Sequence, residues 1–96
     1  MPKQFYAYIL ASQRNGTLYT GVTRDLVQRV WQHREGMVGG FTKKYGVKRL
    51  VYYEVYGDAE NAIVGEKRIK KWRRAWKVRV IEKDNPEWRD LYDDTC

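Results

Sequence analysis

An Asn-Gly pair, Asn15-Gly16, flanked on both sides by residues that alternate between two faces, constrains this chain more than any other feature. Asn-Gly tolerates the left-handed backbone that reverses a strand, so the flanking segments are drawn into an antiparallel hairpin. Before the turn, Phe5, Ala7, Ile9 and Ala11 share one face while Tyr6, Tyr8 and Leu10 share the other, a pattern that implies cover on both sides. After it, Leu18, Thr20 and Val22 alternate against Tyr19 and Gly21. Pairing these strands brings Tyr8 and Tyr19 together across the ladder, directly opposed or on a diagonal, within the reach of two aromatic rings.

The rest of the pattern predicts helices and one more strand. Thr23 is placed to cap a helix that runs to about Glu35 and ends at Gly36, with Leu26, Val27, Val30 and Trp31 as its apolar stripe. Arg29 and His33 fall one turn apart on that helix. Past a glycine-rich connection, Phe41–Tyr45 has room for one or two helical turns before Gly46, with Lys43 and Lys44 facing solvent. Arg49–Tyr56 is β-branched and aromatic and reads as a third strand. From Ala59 to about Trp72, Ala59, Ala62, Ile63 and Ile69 follow helical spacing, and Glu66 lies inside their stripe. An unpaired buried carboxylate is costly, so Glu66 must meet a cation, act as a neutral acid or line a cleft. A further helix from Arg74 to Lys83 presents Trp76, Val78, Val80 and Ile81; Pro86 then breaks the chain, and the last residues are expected to fray. The expected fold is α/β (α+β), a three-stranded, mainly antiparallel sheet flanked by helices. Its core is expected at about residues 4–83, with a C-terminal extension over 84–96.

A chain of 96 residues allows a single domain. With 15% aromatic residues it can bury enough area to be ordered. The sole cysteine, Cys96, leaves no intrachain disulfide and no thiolate metal site. Met1-Pro2-Lys3-Gln4 leads straight into a strand and no apolar run is long enough to span a bilayer, so the expected location is the cytoplasm. Net charge is +7, and nine of the nineteen Lys and Arg residues fall between Lys67 and Lys83, where Glu82 is the single acid. Such a stripe suits a polyanion, with Lys67, Lys70, Lys71, Arg73 and Arg74 as candidate phosphate-positioning residues; the alternative is a solvated helix face.

Tyr6-Ala7-Tyr8 and Tyr19-Thr20-Gly21, followed by Arg29, His33 and a helix carrying Glu66-Lys67-Arg68-Ile69-Lys70-Lys71-Trp72, together resemble the GIY-YIG nuclease signature. The first motif reads Tyr-Ala-Tyr instead of Gly-Ile-Tyr, and Thr20 stands for the isoleucine of the second; both hydroxyls are kept. Leu18-Tyr19-Thr20-Gly21-Val22-Thr23, Phe41-Thr42-Lys43-Lys44-Tyr45 and Asn85-Pro86-Glu87-Trp88 narrow the likeness to the small stand-alone bacterial group called YhbQ-like. The resemblance implies a metal-dependent endonuclease acting on DNA, with Tyr8, Tyr19, Arg29, His33 and Glu66 catalytic and Glu66 holding one divalent metal, Mg²⁺ or Mn²⁺. Larger members of the family also use an asparagine after the glutamate helix, for which Asn85 is the sole downstream candidate here.

These residue types suit phosphodiester hydrolysis, which needs an activated water, charge neutralisation and help for the leaving oxygen. A single carboxylate suits Mg²⁺, which keeps several waters. Arg29 offers a planar fork to phosphate oxygens that Lys cannot reproduce. A tyrosine, ordinarily near pKa 10, serves as base only where a cation favours its phenolate. Tyr19 is the preferred base and Tyr8 the orienting group, with His33 as a proton relay or phosphate contact. Each piece has a plainer reading: the tyrosines as cross-strand packing, Arg29 and His33 as surface residues, Glu66 paired to Lys70 or Arg29. Trp31, Trp72, Trp76 and Trp88 are expected to be core residues more than base-stacking platforms. The rival function is a nucleic-acid-binding module that keeps the fold without turnover. With no appended DNA-binding domain in the chain, sequence specificity is expected to be weak.

Overall fold

The computed structural model describes residues 4–95; Met1–Lys3 and the lone cysteine Cys96, on which the expectations about a leader and disulfides rested, lie outside the described residues. Three strands, β1 (Phe5–Ala11), β2 (Leu18–Thr23) and β3 (Arg49–Tyr56), form an antiparallel sheet in the order β2-β1-β3. Placing β1 at the centre explains why both of its faces are apolar or aromatic: it is hydrogen-bonded on both edges and covered above and below.

Ala7, Ile9 and Ala11 enter one core cluster with Val51, Ile69, Ile81 and Trp88. Tyr8 and Leu10 enter the other with Leu26, Val30, Val47 and Leu50. The first cluster seats α3 (Ala59–Lys71) and α4 (Arg74–Asp84), and the second seats α1 (Leu26–Arg34) beside the short helix α2 (Phe41–Tyr45).

The hairpin forms as the Asn-Gly signal predicts, although its loop is longer than a two-residue turn, since Ala11 pairs with Leu18. Asn15 takes φ 58° there. A Cβ on Gly16 would run into Ser12 and Gln13, so only glycine fits this point of the turn.

Several expected boundaries shift. The cap of α1 is Asp25, whose side chain accepts from the Gln28 N–H at 3.1 Å; Thr23 instead receives the Asp25 N–H at 3.1 Å and shapes the turn before it. The buried face of α1 is Leu26, Val30 and His33, with Trp31 44% exposed. On α3 the buried face is Ala62, Gly65 and Ile69, while Ile63 points outward. Gly65 takes the place expected of an apolar side chain because the Tyr56 hydroxyl lies where its Cβ would be. Helix packing onto the sheet therefore turns α3 slightly from the face that its hydropathy marks.

The segment after residue 83 is part of the core. Trp88 is fully buried, its indole N–H donates to Glu82 at 2.7 Å, and its carbonyl accepts from Arg49 at 3.0 Å. The Leu91 N–H donates to the Leu50 carbonyl at 2.7 Å, and Tyr92–Thr95 forms a helical turn, α5, where fraying was expected. No helix among the described residues is long and apolar enough to cross a membrane.

Candidate active site

The register opposes Tyr8 to Gly21 and Leu10 to Tyr19, so the two tyrosines are diagonal neighbours, with ring centroids 6.4 Å apart. Gly21 is what lets Tyr8 take this position. A Cβ on Gly21 would stand 2.5 Å from the Tyr8 hydroxyl, so the phenol crosses the neighbouring strand only because residue 21 has no side chain. The spacing of tyrosine and glycine on β2 is thus a single steric device: Tyr19 beside the site, Gly21 beneath the oxygen of its partner.

From α1, His33 closes the cluster on the buried side. Its Nε2 lies 3.3 Å from the Tyr8 hydroxyl and its Nδ1 3.1 Å from the Thr42 hydroxyl, while its ring sits 5.4 Å from that of Tyr19. A neutral imidazole carries one N–H, so the chain Tyr8–His33–Thr42 has two consistent proton arrangements, each with one hydroxyl donating to the ring and the other accepting from it. Thr42 was missed in the sequence reading. Its segment, Phe41–Tyr45, marks the family likeness, but nothing in it points to a bond with the imidazole until the fold buries Thr42 there.

Burial, reinforced by the neighbouring Tyr19 and opposed by Arg29, holds the Tyr8 phenol well above the ordinary tyrosine range. Glu66 adds to the rise, so a carboxylate from α3 and a guanidinium from α1 both act on the same hydroxyl. Burial first and the Arg29 charge second push His33 below the usual imidazole value. Stability follows from that direction. The unfolded chain, with His33 near pKa 6.5, binds the proton before the folded chain does, so stability falls as pH drops below about 6.5 toward the folded value. Urea unfolding between pH 7.5 and 5.0 is expected to show this loss, with a slope up to about 1.4 kcal/mol per pH unit, and His33→Phe is expected to remove it. As the one histidine in the chain, His33 is the natural source of such a slope.

Arg29 is half-buried and pairs with no carboxylate among the described residues. It borders a shallow groove shared with Thr23, Arg24, Asp25, Gln28 and Gln32. Glu66 has a side chain only 13% exposed and meets the Lys70 ammonium at 3.3 Å, one helical turn on. Of the partners weighed for Glu66, then, Lys70 is the one found, and Arg29 is left uncompensated.

The basic stripe divides by structural employment. Arg74 donates to the Asn15 and Gly16 carbonyls at 2.8 Å each and ties α4 to the hairpin turn. Lys70 is engaged by Glu66, whereas Lys67, Lys71 and Arg73 are exposed and carry no ion pair among the described residues. Asn85 is remote from this chemistry in its bonding. Its amide donates to the Val51 and Arg89 carbonyls at 3.2 and 2.9 Å, and its oxygen accepts from the Arg89 N–H at 2.9 Å. It therefore ends α4 and supports the chain leading to and from Trp88. The tryptophans also part company: Trp88 is core and Trp72 half-buried, but Trp31 and Trp76 are 44% and 46% exposed.

Residues 4–79 match the model of the GIY-YIG catalytic domain. The chain belongs to the GIY-YIG family. It is 37% identical over 84 residues to a UPF0213 protein of Pectobacterium carotovorum subsp. carotovorum, covering 88% of this chain and 83% of that one. A UPF0213 protein of Pediococcus pentosaceus is 32% identical over 80 residues, 83% of each chain. The solution NMR structure of a UPF0213 protein from Bacillus halodurans superimposes with a TM-score of 0.55 at 27% identity, covering 92% of this chain and 93% of that one. The small GIY-YIG fold predicted from the tyrosine motifs, with its three antiparallel strands and flanking helices, is the fold observed.

Proposed function

We propose that this GIY-YIG protein is an endonuclease that hydrolyses phosphodiester bonds in DNA, with weak sequence specificity. The observation that carries the reading is the cluster of Tyr8, Tyr19 and His33, with ring centroids 5.4 to 6.4 Å apart, in a chain whose residues 4–79 match the GIY-YIG catalytic domain. Arg29, without an ion pair among the described residues, and the largely buried Glu66 come from different helices and both bear electrostatically on Tyr8. A structural role leaves Arg29 without a counter-charge, whereas a phosphate oxygen supplies one.

Glu66 suits a hard divalent cation, Mg²⁺ or Mn²⁺. It is an oxygen donor shielded from bulk water, and its partner is a lysine whose side chain is 55% exposed and free to swing aside. No group of three or more His, Cys, Asp or Glu side chains gathers into a metal cluster among the described residues. Glu66 would hold the cation as a carboxylate ligand, and water and phosphate would complete the shell. Bound there, the cation supplies Lewis-acid polarisation of the phosphate.

The remaining roles belong to this chain's own residues. Arg29 forks onto the nonbridging oxygens and neutralises the charge that grows as water attacks phosphorus and the bond to the 3′ oxygen breaks. Tyr8, kept protonated by burial, serves as a hydrogen-bond donor that orients phosphate or water. Tyr19, its ring tilted by 56° against that of His33 and only half-buried, is the better placed to take the proton of the attacking water. His33 holds Tyr8 in place and, being neutral near pH 7, has a lone pair for a relayed proton. Lys67, Lys71 and Arg73 position the strand through its phosphates.

A second reading, a module that binds without cutting, is favoured by one contact, the Lys70 ammonium already seated on Glu66. Cleavage of single-stranded, duplex and branched DNA, and of RNA, with Mg²⁺ or Mn²⁺ decides between them. Wild type is expected to cut DNA and Glu66→Ala to lose that activity. Equal residual cutting by both would mark a contaminant and sink the enzyme reading, and salt-dependent binding by an inert wild type would favour the module.

A further inference from the structure

Beside the proposed centre lies an aromatic surface that phosphodiester chemistry does not require. The Tyr19 ring is followed outward by Phe41 at 6.4 Å, and Phe41 by Tyr45 at 4.9 Å, so the row of rings that begins at His33 continues out of the core onto the surface. Phe41 and Tyr45 are 47% and 48% exposed. These ring contacts leave about half of each side chain in water, where a polar residue would be cheaper to expose.

The same short helix is tied firmly to the centre. Between the two rings, Thr42 is buried and bonds to His33, and the left-handed Gly46 closes the helix by donating its N–H to the Thr42 carbonyl. The shelf therefore keeps a set position relative to Tyr8 and Tyr19. Its surroundings are cationic: Lys43 and Lys44 are exposed, neither carries an ion pair among the described residues, and the Lys44 ammonium lies over one face of the Tyr45 ring, 5.3 Å from its centre. Exposed aromatic faces beside lysines that have no carboxylate partner among the described residues, next to a proposed site for phosphate, match the alternation of base and phosphate along a nucleic-acid strand.

We infer that Phe41 and Tyr45 form a base-stacking subsite that receives an unpaired nucleobase adjoining the scissile phosphate, so that the ligand is single-stranded or locally unpaired nucleic acid. Bases inside a duplex are already stacked on their neighbours and present only their edges, which leaves no face for these rings. Stacking accepts every base, which agrees with weak sequence preference. The inference rests on the proposed nuclease reading for the phosphate's place, but stacking itself is a binding property and can be tested without turnover.

The test is fluorescence anisotropy in EDTA, using a labelled DNA strand of about 15 nucleotides, comparable to the sites of single-strand binders, and an abasic strand with the same number of phosphates. Wild type is expected to bind the base-bearing strand more tightly than the abasic one. Phe41→Ala and Tyr45→Ala are each expected to weaken binding of the base-bearing strand by about 5- to 150-fold, the range of one lost stacking contact, and to leave the abasic strand nearly unaffected. Phe41→Leu and Tyr45→Leu keep apolar bulk without a π-face and are expected to behave as the alanine variants do. Unchanged binding in the alanine variants, equal losses on both strands, or full rescue by leucine would each overturn the subsite. Because divalent cations are absent, these outcomes are independent of the comparison with Glu66→Ala, and either idea can fail without the other.

Discussion

Arg29→Ala is expected to lower the rate of DNA cleavage by about 10³-fold, equivalent to about 4 kcal/mol of transition-state stabilisation, while strand binding falls far less. The reasoning starts from the missing counter-charge. Arg29 is half-buried, acts electrostatically on Tyr8 and His33, and meets no carboxylate among the described residues. A cation kept in this state is worth most when negative charge develops in front of it, which happens as the phosphate is attacked. The ground-state strand can still be held by Lys67, Lys71 and Arg73. Arg29→Lys keeps the charge but loses the bidentate fork and is expected to recover only part of the rate. The measurement is single-turnover cleavage beside strand affinity in EDTA. Parallel losses in rate and affinity would show that Arg29 only binds, and the assignment would fail. The variant is also expected to raise the titration point of His33, because the guanidinium is one of two causes holding it down. That shift is readable by NMR whether or not the protein turns over.

Trp88→Ala is expected to cost about 3–5 kcal/mol of folding stability, a large share of the roughly 5–15 kcal/mol available to a small domain. Trp88 has no exposed surface and packs with Ile9, Val51, Ile69 and Ile81 between sheet and helices. Its loss removes the largest of the fully buried side chains and strands the Glu82 carboxylate that its indole N–H engages. Its backbone sits at φ 56°, a conformation that bulky residues seldom adopt, which surrounding contacts hold in place. Those contacts are the Asn85 carbonyl on its N–H at 3.0 Å and the Arg49 guanidinium on its own carbonyl. Urea denaturation gives the number. An unchanged midpoint would mean that the segment after residue 83 adds nothing to the fold.

How much of this was legible beforehand differs between the two strands and the helices. The hairpin follows from local chemistry: alternation sets which residues share a face, and Asn15-Gly16 sets where the chain reverses. The diagonal placement of Tyr8 and Tyr19 needed the register, because a loop longer than two residues leaves that register open. The apolar stripe of α3 marked a face that includes Ile63, yet the helix buries Gly65 instead, since the Tyr56 hydroxyl takes up the space at that position. Periodicity reports which side of a helix is apolar, but it says nothing about the shape of the surface that receives it.

The C-terminal segment makes the same point from the other direction. Pro86 and the run of acids after Asp84 read as the end of a domain, because local composition is all that a sequence shows there. Asn85 is the sole downstream residue that could match the asparagine of larger family members. Its amide is spent on backbone groups of Val51 and Arg89, partners that chain distance conceals. The bond of Thr42 to His33 likewise depends on α2 lying against α1, which no local pattern shows.

By itself, then, the sequence determined the pairing of β1 with β2, the two-sided burial of β1 and the tyrosine motifs that mark the GIY-YIG family, since each depends on neighbours a few positions away. Only the tertiary structure decided that Glu66 pairs with Lys70 while Arg29 stays uncompensated, that Tyr8 is held protonated beside His33, and that Trp88 closes the core. These outcomes depend on which surfaces meet across the sheet, and burial and charge at such contacts arise only once the chain has folded.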